Sequence, residues 1–268
     1  MFSAFLYING VDFLKKGKMP GKNSPLISVV IPAWNEEKYI GRTVKSLLNQ
    51  SLDREEYEII IVDGRSTDRT AQIARRLGAK VFYENEKSIG GARNVGAKKA
   101  KGKYVAFVDA DCIAPRGWLL RIKKTFERKG EKLKGIGGFG VPINPRWQDK
   151  LAFFILDYYW KVTSWLGIYH FVGFNCVYSR KEFLKLGGFN PKIKFMEDVE
   201  MSFRFRRAGH PCKVSRRLKM MTSPRRFSQM GLLKLLGMVV VGYYCLFFNK
   251  PFPWEYGRLL KKHGAIDR

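Results

Sequence analysis

Four short apolar runs, each followed by a helical segment, constrain this chain more than any other feature. Residues 27–32, 57–62, 80–83 and 104–108 are rich in Val, Ile, Tyr and Phe, with residues 36–50, 67–77 and 88–100 between them. Ile40, Val44, Leu47 and Leu48 recur at helical spacing in the first connection, Gly78 ends the second, and Gly102 follows the third. A continuous β-branched run reads as a strand buried on both faces. Strands separated by helices of this length require a parallel sheet with crossover connections, so the expected class is α/β. After Asp111 the rhythm loosens. Residues 118–129 read as a helix, 133–139 as a strand, 148–166 as a long aromatic helix, 175–178 as a strand, and 197–208 as an amphipathic helix closed by Gly209.

The charge balance implies an anionic partner, because 50 Lys and Arg face 23 Asp and Glu for a formal +27 over 268 residues. From Met201 onward 15 basic residues face 2 acidic ones, so nearly half of the excess flanks the most apolar run in the chain. That run, residues 235–248, carries no charge; as a helix it would be ~21 Å long, short of a ~30 Å hydrocarbon core. Arg225 and Arg226 precede it; Lys250, Arg258, Lys261 and Lys262 follow, with Trp254 and Tyr256 suited to an interface. An in-plane helix on an anionic membrane surface is expected, with a buried core helix as the alternative. The four cysteines lie 64, 36 and 33 residues apart, which supports no zinc or thioredoxin-like motif and suits a reduced, cytosolic chain. At the N-terminus an apolar stretch precedes Lys15, Lys16 and Lys18, the reverse of a secretory signal; it reads as a short anchor or as residues before a start at Met19.

The sharpest chemical feature is Asp109-Ala110-Asp111 at the end of the fourth apolar run. In open α/β sheets ligands bind at the carboxyl ends of strands. Paired carboxylates there are hard ligands for Mg²⁺ or Mn²⁺, which bridge diphosphate oxygens. The bland reading is a loop pair that caps the next helix. Two earlier strand ends are also polar, with Asn35, Glu36 and Glu37 after the first run and Asp63, Ser66, Thr67 and Asp68 after the second. One or two of Asn35, Asp63 and Asp68 are expected to be caps; all three being only caps is not.

The run Ile27-Ser28-Val29-Val30-Ile31-Pro32-Ala33-Trp34-Asn35-Glu36-Glu37 resembles the opening of family 2 glycosyltransferases of the GT-A fold. Val62-Asp63 with Ser66-Thr67-Asp68-Arg69-Thr70, Gly91-Ala92-Arg93-Asn94-Val95-Gly96, Val108-Asp109-Ala110-Asp111, Gly187-Gly188-Phe189 and Glu197-Asp198-Val199-Glu200 follow in the family's order. By that resemblance Pro32, Ala33 and Glu36 would line the nucleoside pocket and Asp63 would contact the base. Arg93 would lie near the donor diphosphate, Asp109 would hold ribose or metal-bound water, and Asp111 the metal. Asp198 would be the catalytic base of an inverting enzyme, against a bland reading as an acid favoured by a helix N-terminus. The family's common form has a second acidic residue after Asp63 and a glycine before Ser66. Here Gly64 and Arg65 stand in those places, which leaves the base as uridine or guanosine.

Gly135-Ile136-Gly137-Gly138-Phe139-Gly140 matches the dinucleotide fingerprint in letters only. That fingerprint must open a helix, and Pro142 and Pro145 block one, so a glycine-rich strand on the acceptor side is expected. His170 could touch an acceptor; His210 and His263 have no companions for a metal site. Arg225 and Arg226 could bind a lipid carrier or the diphosphate, or snorkel at an interface.

The expected division is an N-terminal extension over 1–24, a GT-A domain over 25–223 with halves 25–111 and 112–223, and a membrane-associated tail over 224–268. The expected activity is metal-dependent, inverting transfer from a UDP- or GDP-sugar to a glycan or polyprenyl-linked acceptor at the cytoplasmic membrane face. A nucleotidyltransferase shares strand-end carboxylates but opens with a glycine-rich basic signature that residues 32–37 lack. A nucleic-acid-binding protein explains the charge but not the ordered acids, and no such motif is present, so nucleic acid is not expected as a partner.

Overall fold

The computed structural model describes residues 24–85, 88–165, 169–193, 195–225, 232–248 and 250. Most of the N-terminal extension, Arg226 and the basic and aromatic residues past Lys250 lie outside the described residues.

Seven strands form one sheet in the order β3-β2-β1-β4-β6-β5-β7. They are β1 (Ile27–Ala33), β2 (Tyr57–Asp63), β3 (Lys80–Tyr83), β4 (Tyr104–Phe107), β5 (Gly135–Pro142), β6 (Cys176–Ser179) and β7 (Cys212–Thr222). β1 pairs in parallel with β2 and β4, and β2 with β3, as the helical crossovers require. β6 runs antiparallel between β4 and β5, and β7 lies parallel to β5. The sheet is therefore mixed and mostly parallel.

Burial follows from the strand period of two. Val29 and Ile31 enter one core with Ile40, Val44 and Leu47 of α1 (Glu37–Leu48) and Trp118 of α4 (Trp118–Lys129). Val30, Ile60 and Val62 enter the other with Ala92 and Ala97 of α3 (Ile89–Lys99). Each fully buried Val or Ile contributes about 1.5–3 kcal/mol, so β1 and β2 anchor both layers. The glycine-rich run falls in β5 and forms strand, not helix.

Three elements differ from the sequence expectation. Helix α2 (Thr70–Arg76) starts three residues later than expected, because Asp68 accepts from the Thr70 amide and hydroxyl and holds the preceding residues in a turn. Helix α6 (Arg180–Lys185) and strand β7 had no apolar signature. β7 is an edge strand whose charged residues leave only Leu218, Met220 and Thr222 buried.

The described part of the tail packs on the rest of the chain. Helix α8 (Leu232–Phe247) buries Met238 and Cys245, and its Tyr243 hydroxyl lies 2.7 Å from His170 Nδ1. Gly242 permits this docking, since a Cβ there would collide with the Met196 sulfur. No helix among the described residues is long and apolar enough to cross a membrane.

Gly96 sets the spacing of α3 from the sheet, because a Cβ would strike the Val30 side chain. Ala in a helix interior normally gains roughly 0.5–1 kcal/mol over Gly, but overpacking a filled core costs about 1–3 kcal/mol. Gly96→Ala is expected to lower the urea midpoint and the melting temperature by a net ~1–2 kcal/mol. An unchanged or higher midpoint would contradict this packing.

Candidate active site

The register sets Ala33 beside Asp63 and Asp63 beside Tyr83, so three parallel strands end on one edge. The loops there interlock through side chains. Asn35 Oδ1 accepts from the Thr67 amide at 2.9 Å, and Ser66 Oγ accepts from the Asn35 amide at 2.9 Å. Thr70 Oγ1 accepts from the Glu36 amide at 2.8 Å, and Asp68 from the Glu37 amide at 3.0 Å. Asp63 is 1% exposed and accepts from Ser66 Oγ at 2.5 Å, closing its own turn. Asp68 and Asn35 are thus structural, and Asp63 is at least partly so. Arg65 holds φ at +62°, a conformation that suits glycine, which accounts for the glycine in the family's common form. Its guanidinium lies over the Tyr83 ring and bonds Asn85.

Pro32 and Ala33 end β1, and Glu36 follows on the loop. Glu36 meets the Arg225 guanidinium at 2.5 Å, which also reaches Asp111 at 3.2 Å and lies over the Tyr39 ring. Arg225 stands beyond residue 223, the expected end of the domain, and neutralises Glu36 and Asp111.

Arg93, on α3, is 3% exposed and bridges two acids, Asp109 at 2.8 Å and Glu197 at 2.7 Å. Burial alone would lower its pKa, but Asp109 and Glu197 outweigh that and hold it above the ordinary arginine value. Gly173 packs on this guanidinium with no room for a Cβ.

Glu197 and Asp198 open α7 (Glu197–Arg207) just after Met196, which holds φ at +64°. Such strain persists where surrounding structure over-determines it, as at functional sites. Asp198 accepts from the Gly173 amide at 2.6 Å and the Val199 amide at 2.8 Å. Burial, and next the charge of Glu197, push its carboxyl up to about 7 against the opposing pull of Arg93.

Arg93, Asp109, Asp111 and Asp198 all line one cavity of about 240 Å³. Residues of α8 and of α5 (Trp147–Trp165) line it as well. Buried His170 faces it, with desolvation lowering its pKa to about 4 and so keeping the ring neutral. Of the residues singled out in the sequence, Arg93, Asp109, Asp111 and Asp198 line this cavity, while Pro32, Ala33, Glu36 and Asp63 are not among its lining residues. Sequence reasoning did not give Glu197 a role of its own, although its adjacency to Asp198 was a signal. Among the described residues no three His, Cys, Asp or Glu side chains form a metal cage.

Residues 28–187 match the Glycosyl transferase family 2 model. A poly(ribitol-phosphate) beta-glucosyltransferase of Bacillus spizizenii is 40% identical over 131 residues, covering 43% of this chain and 20% of that protein. A dolichyl N-acetyl-alpha-D-glucosaminyl phosphate 3-beta-D-2,3-diacetamido-2,3-dideoxy-beta-D-glucuronosyltransferase of Methanococcus voltae is 34% identical over 136 residues, covering 47% of this chain and 42% of that protein. The chain thus spans less than half the length of these two relatives. A mannosyltransferase from Pyrobaculum calidifontis, solved with GDP-Man and Mn²⁺, superposes with a TM-score of 0.61 at 18% identity, covering 82% of this chain and 65% of that one. The fold is GT-A.

Removing the guanidinium would leave two largely buried carboxylates without their cation, a change that costs about 3–5 kcal/mol. Arg93→Met is expected to lose that much in urea unfolding at pH 7, with Glu197→Gln losing less. A loss below about 1 kcal/mol for Arg93→Met would show that the acids are compensated elsewhere.

Proposed function

The chain belongs to Glycosyl transferase family 2, and from that membership we propose inverting transfer of a sugar from a UDP- or GDP-sugar to a glycan or lipid-linked acceptor at the cytoplasmic face of the cell membrane. The observation that carries the reading is the shared cavity, with Asp109 and Asp111 contributed by the strand end and Asp198 by α7. The relatives support both acceptor classes by their names, one acting on a poly(ribitol-phosphate) and one on a dolichyl-linked sugar. The GDP-Man and Mn²⁺ bound by the mannosyltransferase support a nucleotide-sugar donor and a divalent ion.

The residues present fit such an ion. Asp111 is 5% exposed and already draws a cationic group, the Arg225 guanidinium. Two carboxylates are what Mg²⁺ or Mn²⁺ takes from a protein when diphosphate oxygens and water complete the shell. Asp111 and Asp109 would hold it, and it would supply positive charge to the departing diphosphate.

The remaining chemistry belongs to side chains. Pro32, Ala33, Glu36 and Asp63 border the nucleoside side of the strand ends. Arg93 fixes Asp109 by charge and hydrogen bond, so the carboxylate keeps one orientation. Arg225, 3.2 Å from Asp111, carries a further positive charge for developing charge on phosphate oxygens. Asp198, aimed by two backbone amides, accepts the proton of an attacking hydroxyl.

Membrane association is supported by the +27 charge and by exposed Trp147, Phe154, Tyr158 and Phe247 on α5 and α8. Such residues suit an interface with anionic lipids.

Calorimetric titration with UDP and GDP tests the donor and ion together. One nucleotide is expected to bind with Mn²⁺ or Mg²⁺ and to lose affinity in chelator, and Asp111→Ala should abolish turnover while keeping the thermal transition. Equal affinity with and without chelator would sink the ion assignment.

The base assignment has its own signature. A base must be ionised to act, and Asp198 titrates near 7, so kcat/KM with a hydroxyl acceptor should rise as pH climbs through about 7 and level off above it. Asp198→Asn should cut kcat by ~10²–10⁴ and erase that limb while sparing donor affinity. With a phosphate acceptor, which has no proton to lose, the same change should act only through positioning. Near wild-type transfer to a hydroxyl by Asp198→Asn would remove Asp198 as the base.

A further inference from the structure

The cavity is lined by two kinds of surface. Asp109, Asp111 and Asp198 supply its acids. Leu156 and Trp160 of α5, Phe195, and Val239 and Tyr243 of α8 supply apolar and aromatic surface. A sugar hydroxyl buried against Leu156, Phe195 or Val239 finds no partner there and costs a hydrogen bond. An apolar chain gains from that surface.

His170 interrupts the wall. It is 5% exposed, its Nδ1 faces the Tyr243 hydroxyl, and its Nε2 is buried with no hydrogen-bond partner among the described residues. A buried ring nitrogen in that condition requires an explanation, and a polar ligand group entering the cavity supplies one. The outer faces of the same helices carry apolar residues as well, Leu151, Phe154 and Tyr158 on α5 and Val240, Tyr244 and Phe247 on α8. A helix apolar on both sides at a protein's surface suits a bilayer on its outer side and an apolar occupant on its inner one.

We propose that the acceptor is an amphiphile, whose hydroxyl-bearing head lies between Asp198 and His170 while the first segment of its apolar chain fills the cavity between α5 and α8. The proposal rests on the glycosyltransferase reading and narrows its acceptor to the lipid-linked class. Helix α8 is then a wall of the acceptor site, and the Arg225 that precedes it pairs with Asp111, one of the acids lining the same cavity.

Methyl, hexyl, octyl and decyl β-D-glucosides below their micelle concentrations test this directly, because head group and stereochemistry stay constant while the chain grows. Calorimetry on the full chain with UDP and Mn²⁺ present should show affinity rising up to about fourfold per added methylene until the cavity is full. Leu156→Trp and Val239→Trp each fill the cavity from a different helix and should flatten that gain, with retained UDP affinity reporting an intact fold. Phe154→Ser with Tyr158→Ser, on the outer face of α5, should lower binding to anionic phosphatidylglycerol vesicles and leave the chain-length gain in place. His170→Ala should weaken every glucoside by a similar factor and leave the slope with chain length unchanged. Equal affinity for methyl and decyl glucoside in the wild-type chain would overturn the proposal, as would an undiminished gain in both Trp variants. Nucleotide binding with a flat chain series would sink this inference alone. A chain-length gain with no nucleotide binding would instead sink the transferase reading.

Discussion

The buried guanidinium of Arg93 is the interaction on which the rest of the site depends. It joins Asp109, which belongs to the strand-end half of the fold, to Glu197, which opens α7 in the other half. Without the cation two largely buried carboxylates would be left uncompensated, and a lone buried arginine would be as costly. Charge balance therefore fixes the distance between the two halves. Asp198 takes its position beside Glu197 on the same turn; burial raises its pKa, and the charge of Glu197 raises it further. Gly173 completes the arrangement by donating its amide to Asp198 while its missing side chain admits Arg93.

A second cation ties the site to the end of the chain. Arg225 neutralises Glu36 and Asp111, residues 189 and 114 positions earlier in sequence. Seven residues later α8 begins, and it returns across the acceptor side to meet His170 through Tyr243 and Met196 through Gly242. Strain at Met196 is tolerable because packing from α8 over-determines that turn. Glu36, Asp111, His170 and Met196 are thus joined through Arg225 and α8.

Much of this was legible in the sequence, and the reasons are specific. β1, β2 and β4 are buried on both faces, so their runs are continuous and their ends unambiguous. Asp109 and Asp111 stood out because a sheet of that kind binds ligands at those ends. Strand β7 carries no apolar signature because an edge strand needs apolar residues on only part of one face, and four of its eleven residues are Lys or Arg. The start of α2 was misjudged because the side chains of Ser66 and Asp68 stabilise a turn that competes with the helix. Arg225 was read as a possible phosphate or lipid ligand, but its pairing with Glu36 and Asp111 spans too many residues for any local pattern to reveal. The same holds for α8, whose apolar run reads equally as surface or core until its partners His170 and Met196 are known.

The central claim is that Asp198 faces the sugar from the side opposite the departing diphosphate, so that the acceptor displaces it in one step. The measurement that tests this most directly is the anomeric configuration of the product, read by proton NMR before any isomerisation, after transfer from an α-linked nucleotide-sugar. A β-linked product is predicted. An α-linked product would mean that configuration is retained, and Asp198 would then not be the base of a direct displacement.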